Sequence, residues 1–230
     1  MTISEQACSY CEYSEGEDIE HVYPKSWFPD RTFSWDNYLL ACKSCNTSFK
    51  SNGFAVFQPA GSTTLYHLTS QTPGQPPSTD SALLNPRAEN PLDYLELDFL
   101  AGLAFVPVAN LSQRDQQRAD YTRGLLHLNT RAELRKARST AHRHFFGLLR
   151  EYVEVKQATT VQALDTAVIV PNVVDLNQPL ARQRALIMVS LRRAIRTHAH
   201  PSVWYELKRQ HPAMPKTNLL FQAAPEALSW

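Results

Sequence analysis

Two Cys-x-x-Cys pairs constrain the fold of this 230-residue chain more than any other feature of its sequence. The four residues are Cys8, Cys11, Cys42 and Cys45. One such pair places two thiolates on one side of a Zn²⁺ ion, and a second pair about thirty residues later completes the tetrahedron. We therefore predict a structural zinc site that ties together a small unit. Four thiols without a metal are the alternative, and a redox pair would need a thioredoxin-like setting that the sequence does not show.

Charge and composition narrow the class of protein. The formal net charge is +1, so no long-range field marks a nucleic-acid partner, although a local basic patch can serve. The sequence contains no apolar run long enough to span a membrane and no apolar leader. We therefore expect a soluble, cytoplasmic protein without a membrane partner, in which the paired cysteines bind metal in a reducing compartment.

The chain divides into three segments of different composition, and together they predict an α+β fold. Leu95, Leu97 and Phe99 alternate with polar residues before a turn at Ala101-Gly102, which predicts a β-hairpin. In chain order the predicted segments are residues 1–58, with all four cysteines, residues 59–111, with a Pro-rich linker and the hairpin, and residues 112–230, which are mostly helical.

Helix signals dominate the last segment. Ser112 with Asp115, and Thr130 with Glu133, fit the Ser/Thr-x-x-acid pattern that starts helices. A final amphipathic helix is predicted over 179–198. After Thr130 an apolar stripe recurs at steps of three and four through Leu134, Ala137, Ala141, Phe145, Leu148 and Tyr152.

An ordered set of polar residues lies in and beside the segment between the cysteine pairs. In order these are Glu20, His21, Lys25, Asn37 and, directly after the last cysteine, Asn46. Taken singly, each has an ordinary interpretation as a surface ion pair, a solvated charge or a helix cap. Their conjunction resembles the HNH nucleases, whose zinc-framed, treble-clef-like ββα-metal unit pairs an acid–histidine strand with a helix that carries the last ligand. The signature positions here are His21, Asn37 and Asn46.

The chemistry of phosphodiester hydrolysis assigns roles to these residues. The reaction needs a base near neutral pH and a cation on the phosphate. Imidazole ionises in that range, so His21 is the predicted general base. Glu20 and the amide oxygen of Asn46 are the predicted ligands of a catalytic Mg²⁺ or Mn²⁺. Because successive strand residues point to opposite faces, Glu20 and His21 reach one site only if the strand end bends.

Further contacts follow from the spacing and from the resemblance. Lys50 lies one helical turn beyond Asn46, which predicts that both reach the same phosphate. Lys25 and Lys43 are further expected nucleic-acid contacts, and the resemblance implies that Asn37 holds the loop carrying His21. DNA is the expected substrate and RNA the alternative, since one such site attacks any phosphodiester. The alternative from another class is a catalytically silent zinc module that binds nucleic acid or protein.

A wider resemblance extends to about residue 140. The stretches "LLNPRAENPLDYLEL" and "RGLLHLNTRAELRKAR" are similar to the HNH proteins of Septu-type and retron-associated phage defence systems. This resemblance implies a nuclease effector with an SMC- or ABC-like ATPase as its partner. Basic residues on the predicted helices suit phosphate contacts, an acidic partner or a solvated face. They are Arg131, Arg135, Lys136, Arg138, Arg143, Arg150, Arg182, Arg192, Arg193 and Arg196.

Overall fold

The computed structural model describes residues 7–13 and 16–230. The chain folds as two compact units, Met1–Ala137 and Arg138–Trp230, which divide inside a long helix.

An antiparallel hairpin of β1 (Asp18–His21) and β2 (Tyr38–Ala41) opens the first unit. Glu20 lies opposite Leu39, and both are buried, whereas the neighbouring pair of Ile19 and Leu40 is exposed. The alternation follows from the pleat, which turns successive side chains to opposite faces. Glu20 is therefore on the inner face of the hairpin.

A short helix over Ser44–Lys50, called the Asn46 helix below, follows β2. Its turns are wider than those of an α-helix, because the Ser51 amide donates to the Asn46 carbonyl at 2.7 Å, five residues back. Wide turns of this kind rotate each side chain relative to an ordinary helix. Cys45 and Lys50 are the buried residues of this helix.

Two more antiparallel hairpins belong to the first unit. The hairpin of β3 (Phe54–Phe57) and β4 (Leu65–Leu68) was not predicted, and all of β3 is buried. The hairpin of β5 (Leu95–Asp98) and β6 (Ala104–Pro107) confirms the prediction from alternating residues. Its turn passes through Gly102 at a φ of 69°, in the left-handed region where glycine carries no Cβ penalty.

Two helices follow the strands. α1 (Gln113–Leu125) begins as predicted, because the Ser112 side chain accepts a hydrogen bond from the Asp115 amide. α2 (Ala132–Gln157) begins just after Thr130 and continues into the second unit.

The rest of the second unit is helical. It contains α3 (Val161–Ala167), α4 (Leu180–Thr197), α5 (Pro201–Gln210) and α6 (Pro215–Ala223). The prediction of α4 is confirmed, but the prediction that it is the final helix is wrong, since α5 and α6 follow it. Both begin with a proline at the first helical position, where no backbone donor is lost. Phe145, Trp204 and Phe221 form an aromatic core in this unit.

Three two-stranded antiparallel sheets and a helical C-terminal part make this an α+β structure. Short 3₁₀ turns complete the described elements at Pro29–Arg31, Trp35–Asn37, Pro91–Asp93, His211–Ala213 and Pro225–Ser229. Over the part of the chain that the structure describes, none of the helices combines the length and apolarity that a membrane crossing requires.

Candidate functional site

The four cysteines meet in one buried cluster. Their Sγ atoms all lie within 4.8 Å of one another, and the Cys11 and Cys42 sulfurs are 3.8 Å apart. A tetrahedron with Zn–S bonds of about 2.3 Å has edges of about 3.8 Å, so the spacing suits Zn²⁺. The donor set and the geometry agree: this cluster can hold a zinc ion.

The two cysteine pairs lie in different structural elements. The first pair lies in a turn held by the Glu12 amide, which donates to the Cys8 carbonyl at 2.9 Å. The second pair brackets the start of the Asn46 helix. Hydrogen bonding to Cys11 and burial raise the pKa of the Cys45 thiol above its ordinary value. Four thiolates this close together repel one another, and Zn²⁺ supplies the positive charge that compensates them.

Glu20 and Lys50 form a buried ion pair. Lys50 Nζ contacts Glu20 Oε1, and the two side chains are 1% and 2% exposed. Lys50 Nζ also donates to the His21 carbonyl oxygen at 2.8 Å. Burial raises the pKa of Glu20 and lowers that of Lys50, and each partner opposes the effect of burial on the other. The structure thus differs from the expectation that Lys50 faces a phosphate, because its ammonium is enclosed against the strand.

Asn46 contacts an acid that the sequence analysis did not single out. Its side-chain nitrogen donates to Asp18 Oδ2 at 3.1 Å. Because a carboxylate only accepts, the amide nitrogen faces Asp18 and the amide oxygen is turned away from it. Asp18 and Glu20 share a strand face, so the i, i+2 spacing was the signal that could have identified Asp18.

The imidazole of His21 is held at the end of β1. Its Nε2 lies 3.0 Å from the Thr32 carbonyl oxygen, which also accepts from the Tyr38 hydroxyl at 2.8 Å. The Tyr38 ring packs edge-on against the imidazole, with centroids 5.0 Å apart. A carbonyl only accepts, so the neutral ring carries its proton on Nε2 and leaves the Nδ1 lone pair available.

Asn37 is buried and hydrogen-bonded to the chain that follows His21. Its Oδ1 accepts from the Tyr23 amide at 2.7 Å, and its Nδ2 donates to the carbonyls of Tyr23 and Arg31 at 3.0 and 3.1 Å. The Val22 amide also donates to the Asn37 carbonyl at 3.0 Å. These bonds join the start of β2 to the residues after β1.

The basic residues predicted to contact nucleic acid or a partner differ in their exposure to solvent. Lys25 and Lys43 are exposed, as are the four predicted arginines of α4, Arg182, Arg192, Arg193 and Arg196. Arg131 and Arg138, which the sequence allows on a solvated helix face, are both buried. Arg131 donates to Cys45 Sγ at 3.4 Å, a contact across 86 residues that no local pattern predicts.

Comparison with known proteins gives one partial similarity. The chain is 28% identical over 109 residues to Septu protein PtuB of Bacillus mycoides strain KBAB4, an alignment that covers 39% of this chain and 34% of PtuB. The chain thus spans about a third of the length of that relative. No family model matches the chain, and no solved structure does.

Proposed function

We propose that this chain is a metal-dependent HNH-type endonuclease that cleaves DNA as the effector of an anti-phage defence complex. The observation that carries the proposal is the contact between β1 and the Asn46 helix. Asp18 and the carbonyl of His21 on the strand bond to Asn46 and Lys50 on the helix. The helix begins in the cysteine cluster, which supports a zinc-framed strand–strand–helix unit of the ββα-metal type.

His21 is the proposed general base. Its Nε2–H is engaged by the Thr32 carbonyl, so the lone pair on Nδ1 is the acceptor for the proton of an attacking water. The edge-on Tyr38 ring and the Thr32 bond limit rotation of the imidazole. Asn37 acts through the backbone, because its three side-chain bonds fix the segment that follows His21.

Oxygen donors on β1 and the Asn46 helix suit a divalent cation. The carboxylates of Asp18 and Glu20 and the amide oxygen of Asn46 are hard ligands of the kind that Mg²⁺ and Mn²⁺ prefer. Such an ion, when bound, neutralises charge that develops on a phosphate. Lys50 holds Glu20 and the end of β1 in place in this proposal, so it is a positioning residue instead of a phosphate contact. The exposed Lys25 and Lys43 are the proposed phosphate contacts.

The defence role is supported by the partial similarity to Septu protein PtuB. We propose that the chain works in the cytoplasm beside an SMC- or ABC-like ATPase. A second candidate function is a zinc-framed binding module without catalysis. The observation that favours it is the Glu20–Lys50 pair, whose opposite charges already compensate each other.

Plasmid cleavage separates the two candidates. With Mg²⁺ or Mn²⁺, and with the ATPase partner supplied, the wild type should nick supercoiled DNA. His21→Ala should cut about 10²–10⁴-fold more slowly, the usual contribution of a general base. His67→Ala, which changes an exposed histidine on β4, is the matched control and should cut like the wild type. RNA assayed beside DNA identifies the substrate.

Two results contradict the proposal. Equal cutting by the wild type and His21→Ala removes His21 from the mechanism. Failure of the wild type to cut DNA or RNA with either metal, at full zinc content, supports the binding module.

A further inference from the structure

The loop between α1 and α2 reaches the cysteine cluster through Arg131. The Arg131 side chain is 7% exposed, and its Nη1 donates to Cys45 Sγ at 3.4 Å. Its Nε donates to Glu133 Oε1 at 3.0 Å, and its guanidinium carbon lies 4.9 Å from the centroid of the Phe49 ring. The guanidinium is therefore engaged on three sides, which leaves it no open face for a phosphate.

The same loop is anchored at two points that precede Arg131. The Asn129 side chain accepts from the Phe105 amide at 2.8 Å and donates to the Phe105 carbonyl at 2.7 Å, which fixes the loop to β6. The His127 ring packs on the Phe49 ring of the Asn46 helix, with centroids 4.7 Å apart. Arg131 is thus presented to Cys45 by a preformed loop.

Charge explains why a cation belongs at this position. Four thiolates around one Zn²⁺ carry a net charge of about −2, and the cluster is buried away from water. A guanidinium that donates to a thiolate forms a charge-assisted hydrogen bond and lowers the cost of that negative charge. Groups that hydrogen-bond to metal ligands tune metal affinity by about 10–100-fold.

We propose that Arg131 is a positioning residue of the zinc centre, whose charge and hydrogen bond to Cys45 set how tightly the ion is held. Retention of the ion then depends on the α1–α2 loop as well as on the cysteine pairs. This role goes beyond the proposed nuclease activity and does not rest on it.

Metal release and the spectrum of the cobalt protein test the role in the full chain. Arg131→Met keeps a long side chain over Phe49 but removes the charge and the donor. We expect it to lose Zn²⁺ to a chelator about 10–100-fold faster than the wild type. In the Co²⁺-substituted protein, the sulfur-to-cobalt charge-transfer bands should shift, because the Cys45 sulfur loses its hydrogen bond. Arg131→Lys, which retains the charge, should release the ion at an intermediate rate.

The control is Arg135→Met, at an exposed arginine in the first turn of α2 whose side chain donates to the Ala101 carbonyl at 3.3 Å. It should match the wild type in both measurements. A wild-type release rate with unshifted cobalt bands in folded Arg131→Met overturns the proposal. If Arg131→Met does not fold, Arg131→Gln takes its place, with the same outcome counting against us. If neither neutral variant retains zinc under conditions where Arg131→Lys does, the role of the charge is supported.

Discussion

Lys50→Met should be the most destabilising single change in the candidate site, because it leaves the Glu20 carboxylate buried without its counter-ion. Both side chains are almost fully enclosed. Breaking a buried ion pair by removing one partner costs about 3–5 kcal/mol of unfolding free energy. That is a large share of the roughly 5–15 kcal/mol by which a domain is stable. Lys43→Met, at an exposed lysine just before the same helix, should change stability by less than about 0.5 kcal/mol.

The double variant separates the charge from the packing. Glu20→Gln together with Lys50→Met removes both charges and should recover most of the loss, since neutral buried groups avoid the cost of an unpaired ion. Unfolding in urea is monitored by hydrogen exchange at the amides of β1 and β2, so the measured free energy of unfolding reports on this unit. The explanation is refuted if Lys50→Met costs under about 1 kcal/mol, or if the double variant is no more stable than Lys50→Met.

The pH dependence of the Lys50→Met stability penalty tests whether the unpaired Glu20 carboxylate causes it. Burial raises the pKa of Glu20, and removing Lys50 takes away the largest opposing effect. A carboxyl whose folded pKa lies above its unfolded value contributes stability at low pH and loses it as the pH rises through the folded pKa. The Lys50→Met penalty, measured against the wild type at each pH, should therefore grow as the pH rises. A penalty that grows toward acid contradicts this assignment.

Four further outcomes are expected. Burial and the neighbouring Arg138 lower the pKa of His200 to about 4. The stability that neutral His200 contributes is therefore present above pH 6.5, and about 3 kcal/mol of it is lost as the pH falls toward 4. His200→Asn should flatten this pH dependence in urea unfolding of the second unit. Asn37→Ala should cost about 3 kcal/mol in urea unfolding, at about 1 kcal/mol for each of three side-chain hydrogen bonds. Phe57→Ala should cost about 3–5 kcal/mol by the same measurement, because it empties a fully buried position in β3. In cells that carry the chain with the proposed ATPase partner, His21→Ala should abolish protection in a phage plaque assay while protein abundance stays unchanged.

Several local elements could be predicted because their signals lie within a few residues. The Ser112 cap depends on the hydroxyl and an amide three positions on, and both are read directly from the sequence. The β5–β6 hairpin follows from alternation and a glycine turn. The β3–β4 hairpin escaped prediction because every residue of β3 is buried, so no polar alternation marks it.

The spacing of the cysteines determined by itself that a tetrahedral thiolate cluster can form, because each Cys-x-x-Cys turn places its two sulfurs on one side of an ion. Tertiary structure alone decided which partner each site residue meets. The sequence predicted that Glu20 and Asn46 bind the same metal ion and that Lys50 contacts a phosphate. The fold instead pairs Glu20 with Lys50 and Asn46 with Asp18. The physical reason is that the face a side chain occupies depends on strand register and on the wide turns of the Asn46 helix. The Arg131–Cys45 contact depends on two segments 86 residues apart packing together, which no local spacing encodes.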